Sequence, residues 1–105
     1  MELRHLRYFV AVAEEENVTR AAARLRIAQP SLSRQILDFE DELQLSLFTH
    51  HAKTIRLTDA GRVFLAEARA VLERLDEAVR TTKAINGTHE TELHIGYAPS
   101  LTIEP

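Results

Sequence analysis

Apolar residues recur at intervals of three and four through the first 43 positions of this chain, which is the period of amphipathic helices. A first helix is predicted from Met1 to Glu16. A second begins at Thr19, whose hydroxyl suits an N-cap, and continues through an alanine-rich run that permits close packing. A third opens on Pro30, since proline fits the first turn of a helix. Its predicted buried stripe consists of Leu32, Ile36, Phe39 and Leu43.

The third helix carries polar groups opposite that stripe, in its opening turns. The candidate DNA-contacting residues there are Gln29, Pro30, Ser31, Ser33 and Arg34. Hydroxyls, amides and a guanidinium group are the side chains that hydrogen-bond to base edges and phosphates. The second and third helices are therefore predicted to form a helix-turn-helix whose second helix enters a DNA major groove. We expect Arg34 and Gln29 to contact base edges, and the two serines to contact bases or phosphate.

Residues 43–58 change to the two-residue period of a β-hairpin. The first arm contains Leu45, Leu47 and Phe48, and the second contains Ile55 and Leu57. A hairpin beside a helix-turn-helix is a wing. Lys53 at its tip and Arg56 on its polar face are candidates for contacts to the DNA backbone or the minor groove.

A long helix is predicted from Asp59 to about Asn86, capped by Thr58 and ended by Gly87. Its apolar residues follow a heptad pattern of the kind found in paired helices. The candidate dimerisation residues are Phe64, Ala68, Val71, Leu75, Ala78 and Ile85. Such a helix is roughly 40 Å long, so packing within one subunit is expected to use only its first part. The remainder predicts a homodimer.

Arg4 and Arg7 lie three positions apart on the first helix. Together they are candidates for contact with one DNA phosphate. The alternative is that both belong to an ordinary solvated helix face.

The last segment reads as a polar hinge, Gly87 to Glu92, followed by alternating Leu93, Ile95 and Tyr97. A lone strand is not stable, so this segment is either the start of a second domain or disordered. The predicted division is therefore residues 1–58 as the DNA-binding domain, 59–86 as the linker helix, and 87–105 as a hinge with the first strand of a truncated domain.

Charge and composition agree with this interpretation only in part. The 105-residue chain has a net charge of −3, whereas DNA-binding domains are usually basic. Between Met1 and Gln35, however, six arginines face four glutamates, a balance of +2. A weakly basic face predicts modest affinity per domain and a need for dimers. The absence of cysteine fits the reducing cytoplasm, and no apolar run is as long as a membrane span.

The sequence leaves two other classes of protein to consider, an enzyme and a helical protein-interaction module. An enzyme is disfavoured because the chain has no nucleophile–base–acid spacing and no glycine-rich phosphate loop. His50 and His51 are adjacent in a predicted strand and so point to opposite faces, which makes a poor metal site; no cofactor is expected. A helical protein-interaction module would explain the heptad pattern but not the polar face of the third helix.

The motifs MELRHLRYFVAVAEE, TRAAARL, AQPSLSRQI, LF and RLTDAGRVFL occur in an order and spacing that resemble the N-terminal part of LysR-type transcriptional regulators. The first and third are especially similar to activators of benzoate, catechol and chlorocatechol breakdown. The resemblance implies a mainly α, winged helix-turn-helix domain and a linker helix paired antiparallel with its partner. It also implies a small-molecule effector bound by a further domain, in which Ser100 is a candidate contact, and a tetrameric full-length protein.

The chain departs from that family at the wing, where His50 and His51 stand in place of an arginine followed by a small residue. An imidazole is a poorer partner for phosphate than a guanidinium group. We therefore expect DNA binding to strengthen as pH falls from about 7.5 to 6, and the change His50→Arg to remove most of that trend.

Overall fold

A computed structural model of the chain describes residues 1–51 and 54–93. Its elements are, in chain order, α1 (Leu3–Glu15), α2 (Val18–Leu25), α3 (Gln29–Leu43), β1 (Phe48–His51), β2 (Thr54–Leu57) and α4 (Asp59–Leu93). The two strands form one antiparallel hairpin in which Phe48 lies opposite Leu57 and His51 opposite Thr54. The chain divides into two units, Met1–Leu72 and Glu73–Pro105. The mainly α architecture with a small wing confirms the predicted fold class.

The helix-turn-helix has its predicted helices but a different cap. The Asn17 side chain accepts a hydrogen bond from the Arg20 amide at 2.8 Å, so Asn17 is the N-cap of α2 and the assignment to Thr19 was wrong. Thr19 lies within the first turn, where it cannot cap. In the turn that follows, Arg26 adopts a left-handed conformation (φ 62°). An arginine therefore adopts the left-handed conformation that glycine usually provides at the end of a helix.

The core of the first unit forms where α1, α3, β1 and α4 bring aromatic rings together. Phe9 is fully buried, and its ring centroid lies 6.3 Å from that of Phe39, 5.4 Å from that of Phe48 and 5.2 Å from that of Phe64. The predicted stripe on α3 is confirmed, with Leu43 only partly buried. This packing fixes the third helix with its polar face outward.

α4 begins as predicted and packs closely against the segment before the wing. The Thr58 hydroxyl accepts from the Gly61 amide at 2.9 Å, and the Thr58 amide donates to the Leu47 carbonyl at 2.9 Å. A Cβ atom at Gly61 would lie 2.1 Å from that same carbonyl oxygen. Only glycine permits this approach, which holds the start of α4 against the base of the wing.

One carboxylate joins three helices of the first unit. Glu14 on α1 lies 2.8 Å from Arg24 on α2 and 2.8 Å from Arg69 on α4. Hydrogen bonds from Arg69 and then from Arg24 hold the pKa of Glu14 below its ordinary value of 4.5. The same contact with Glu14 raises the pKa of Arg24. No spacing in the sequence indicates that these three residues meet.

Two expectations for α4 were wrong. The helix continues through Gly87 to Leu93, so neither the end near Asn86 nor the polar hinge is observed. One glycine in a helix interior costs only about 1 kcal/mol, too little to end so long a helix. Phe64 and Ala68 pack into the core of the first unit, and Ala68 is 1% exposed. Ala68 is therefore not available as a dimerisation contact, whereas Phe64 is only partly buried and stays a candidate.

The second unit is described as far as Leu93 and consists there of the remainder of α4. Between residues 73 and 87 no side chain is buried. Val79 and Ile85 are 43% and 41% exposed. The predicted strand around Ile95 lies outside the described residues. None of the helices described is both long enough and apolar enough to cross a bilayer.

Candidate nucleic-acid interface

The outward face of α3 has a proline in its first turn and an exposed arginine in the next. Ala28 precedes the helix without a side-chain cap, and Pro30 lies in its first turn. Arg34, one turn later, has 76% of its side chain exposed, and its Nε atom lies 3.8 Å from Asp38 Oδ1. That pair is long and solvated, so it is weak. The guanidinium group can exchange this carboxylate for a base edge or a phosphate.

Two amide–hydroxyl hydrogen bonds run along α3 on either side of Arg34. Gln29 Nε2 donates to Ser33 Oγ at 2.7 Å, and Gln35 Nε2 donates to Ser31 Oγ at 3.2 Å. Gln29 and Ser31 are exposed, whereas Ser33 is partly buried. Gln29, Ser31, Ser33 and Gln35 thus form two hydrogen-bonded pairs, which restrict their rotamers before any ligand arrives.

A polar cleft of about 390 Å³ lies between the start of α2, the start of α3 and the wing. Its lining residues are Asn17, Val18, Thr19, Gln29, His50, Thr54 and Ile55. Of these, the sequence analysis named only Gln29 and His50 in connection with DNA. The others come from the start of α2 and from β2, and no spacing in the sequence indicates that they meet.

The wing is attached to α3 by Glu40. One carboxylate oxygen, Oε2, accepts from the amides of Leu47 and Phe48 at 2.8 and 3.0 Å. The other, Oε1, lies 3.8 Å from His50 Nε2. The Glu40 side chain is only 11% exposed, so it belongs to the structure of the site rather than to its solvated surface.

The remaining candidates are less closely grouped. Arg56 is exposed on β2, where its carbonyl accepts from the Thr49 hydroxyl at 3.3 Å. Arg4 lies 2.7 Å from Glu2, and Arg7 lines a separate groove with residues of α2 and α4. The two arginines of α1 are thus not brought together with the polar face of α3. Lys53 and Ser100 lie outside the described residues.

No group of three or more histidine or acidic side chains that would hold a metal ion occurs in the described part of the chain. What the site does offer is an exposed helix with hydrogen-bonding side chains, a polar cleft and a two-stranded wing. These features define the class of winged helix-turn-helix DNA-binding domains.

Comparison with known proteins agrees. Residues 3–62 match the model of bacterial regulatory helix-turn-helix proteins of the lysR family. The probable cat1 operon transcriptional activator of Acinetobacter lwoffii is 45% identical over 100 residues, which cover 95% of this chain and 33% of the relative. The chain belongs to the LysR family.

Solved structures give the same assignment. The BenM DNA-binding domain in complex with benA site 1 DNA superposes with a TM-score of 0.78 at 48% identity, covering 81% of this chain and 99% of that one. The CbnR DNA-binding domain in its DNA complex has a TM-score of 0.78 at 40% identity, covering 82% and 99%. Residues 3–62 are therefore a helix-turn-helix DNA-binding domain of the LysR type.

Proposed function

We propose that this protein binds an inverted-repeat promoter site as a dimer, with the α3 helices in successive major grooves about 34 Å apart. The observation that carries the proposal is the exposed face of α3, where Arg34 is solvated and both neighbouring amide–hydroxyl pairs are already formed. The BenM and CbnR domains, which share the fold, are seen bound to DNA.

Each candidate residue has a proposed role. Arg34 and Gln29 contact base edges, Ser31 and Ser33 contact bases or phosphate, and Pro30 packs against the groove. Lys53 and Arg56 contact the backbone from the wing, while Arg4 and Arg7 are secondary phosphate contacts. Contacts of the last kind add affinity without adding sequence preference.

The dimer is proposed to form through the exposed apolar residues of α4. Val71, Val79 and Ile85 are each more than 40% exposed, and Leu75 and Ala78 are partly exposed on the same heptad pattern. Exposed apolar residues at this spacing are stabilised by burial against a second helix. Residues 59–86 therefore act as a linker between two DNA-binding domains.

The chain spans about a third of the length of the cat1 operon activator and of most other curated relatives it matches. We propose that residues 87–105 lead into an effector-binding domain for a small molecule, which the resemblance to activators of benzoate, catechol and chlorocatechol breakdown suggests is an aromatic catabolite. In the full-length protein this domain adds a second interface and so a tetramer. The regulator is proposed to act in the cytoplasm.

The test is selection of bound sites from random-sequence duplexes, followed by titration of the selected site at two salt concentrations. We expect an inverted repeat and a steep salt dependence. The variant Arg34→Ala should lose about 1–3 kcal/mol on the selected site and show a relaxed sequence preference.

The matched control is Arg74→Ala on α4, which removes an equally exposed arginine and should leave sequence preference unchanged. Wild-type affinity for the selected site in Arg34→Ala would show that Arg34 does not contact bases. A pool without any enriched site would contradict sequence-specific binding altogether.

A further inference from the structure

Glu40 is a largely buried carboxylate whose two oxygens face different parts of the wing. Oε2 is satisfied by the amides of Leu47 and Phe48, at the point where the chain enters β1. Oε1 accepts neither of these bonds and lies 3.8 Å from the imidazole of His50, two residues further along the same strand. The recognition helix is thus connected to the wing through one side chain.

In the described part of the chain, the ion pair of His50 is the one with Glu40. From α2 the cleft is lined by Asn17, Val18 and Thr19, and from β2 by Thr54 and Ile55. From α3, Ser33, Ile36 and Leu37 line the adjoining cavity, which leaves Glu40 as the charged contact of that helix. Arg56 follows Ile55, the strand partner of His50, and therefore points to the opposite face of the hairpin.

The contact between His50 and Glu40 changes character when the imidazole gains a proton. The neutral ring contributes no charge to it, whereas the imidazolium makes an ion pair with a carboxylate that is shielded from water. Only the carboxylate is shielded, since 52% of the His50 side chain is exposed, so salt screens this pair less than a fully solvated one but more than a buried one. Since histidine is the side chain that gains charge between about pH 8 and 5, the connection between α3 and β1 tightens on acidification.

We propose that Glu40 is the positioning residue of the wing and that protonation of His50 strengthens its hold, so that affinity for DNA rises as pH falls. This rests on the proposed function, in which the wing contacts the DNA backbone while α3 contacts bases. His50 acts through Glu40 and not by contact with a phosphate. The distinction matters because a direct contact would need no carboxylate.

The experiment titrates the selected duplex with the 105-residue chain at pH 8 and pH 6 at constant ionic strength. We compare wild type with His50→Gln, His50→Arg and Glu40→Gln, and use Asp41→Asn as the matched control that removes a charge from the same helix away from the wing. The change in affinity of His50→Gln between the two pH values measures the contribution of the other histidines. It is subtracted from the change measured for every other protein.

Between pH 8 and pH 6, the affinity of wild type and of Asp41→Asn for the duplex should rise about two- to fivefold more than that of His50→Gln. This is the size typical of a partly solvated ion pair. His50→Arg should bind tightly at both values, because its charge is permanent. Glu40→Gln should lose the trend although His50 is still present. A second readout needs no DNA: the amide resonances of Leu47 and Phe48 should shift with the titration of the His50 ring.

Retention of the full trend in Glu40→Gln would overturn the proposal, and so would amide resonances that ignore the titration of His50. A wild-type trend no larger than that of His50→Gln would do the same. If the wild-type chain binds no duplex at either pH, the proposed function fails instead, and the amide resonances alone decide whether Glu40 and His50 are coupled.

Discussion

The two glycines of α4 occupy opposite environments on one helix. At Gly61 a Cβ atom would lie 2.1 Å from a backbone oxygen of the neighbouring segment, while at Gly87 it would meet no atom within 4 Å. The first glycine belongs to a unit with a continuous apolar core. The second belongs to a unit whose described side chains are all at least partly exposed as far as Gly87.

The contrast supports the proposal that α4 has two roles along its length. As far as Leu72 it is a structural part of the DNA-binding unit, contributing Phe64, Leu65 and Ala68 to the core. Beyond that point Val79 and Ile85 are 43% and 41% exposed, and the proposed dimer would cover them. Each of the following predictions tests whether the two stretches differ in this way.

The largest effect is expected from Leu75→Glu, which places a charge on the proposed dimer surface. Loss of the dimer removes the advantage of two linked sites, so affinity for an inverted repeat should fall by about 10²- to 10⁴-fold, with a dimer-to-monomer shift in analytical ultracentrifugation. Thr81→Glu adds the same charge off the heptad pattern and should leave the dimer intact. Equal sedimentation of both variants as dimers would exclude this face.

Gly61→Ala should destabilise the first unit by about 1–3 kcal/mol or more, because the added methyl group meets a backbone oxygen that cannot rotate away. Chemical denaturation followed by circular dichroism measures the loss. Unchanged stability would mean that α4 does not approach the Leu47 carbonyl as closely as described.

Gly87→Ala should change the stability in the opposite direction from Gly61→Ala. It removes backbone freedom from the unfolded chain without a clash and should stabilise the helix by about 0.4–1 kcal/mol. Helical content by circular dichroism should rise slightly. If the helix instead ends at Gly87, alanine will either lower the stability or cause a large increase in helical content. Either result would contradict a helix that continues through Gly87.

The smallest effect concerns pH and the ion pairs of Glu14. Because the folded-state pKa of Glu14 is lowered, its contribution to stability is present above the ordinary value of 4.5 and is lost as pH falls through the lower folded value. Near neutral pH the free energy of unfolding of wild type should exceed that of Glu14→Gln by at most about 1 kcal/mol. In acid the two free energies should converge. A constant difference at all pH values would refute the assignment to charge.

Local pattern was enough to predict most of the helices and the hairpin. The steps of three and four in Leu32, Ile36 and Phe39 specify which side of α3 is buried, because a helix returns to the same face after that number of residues. Thr58 and Asp59 mark the start of α4 for an equally local reason. The polar face of α3 follows as the complement of its buried stripe.

Tertiary structure alone decided how the site is assembled and where α4 changes role. Glu40 reaches Leu47 and Phe48 across a chain reversal, and Glu14 reaches Arg69 across 55 positions. Such contacts depend on the packing of whole elements and leave no periodic trace in the sequence. The heptad pattern likewise runs unbroken through α4, since an apolar residue looks the same whether its own core or a second subunit covers it. The aromatic packing around Phe9 shows which apolar residues of α4 are covered by the core of their own subunit.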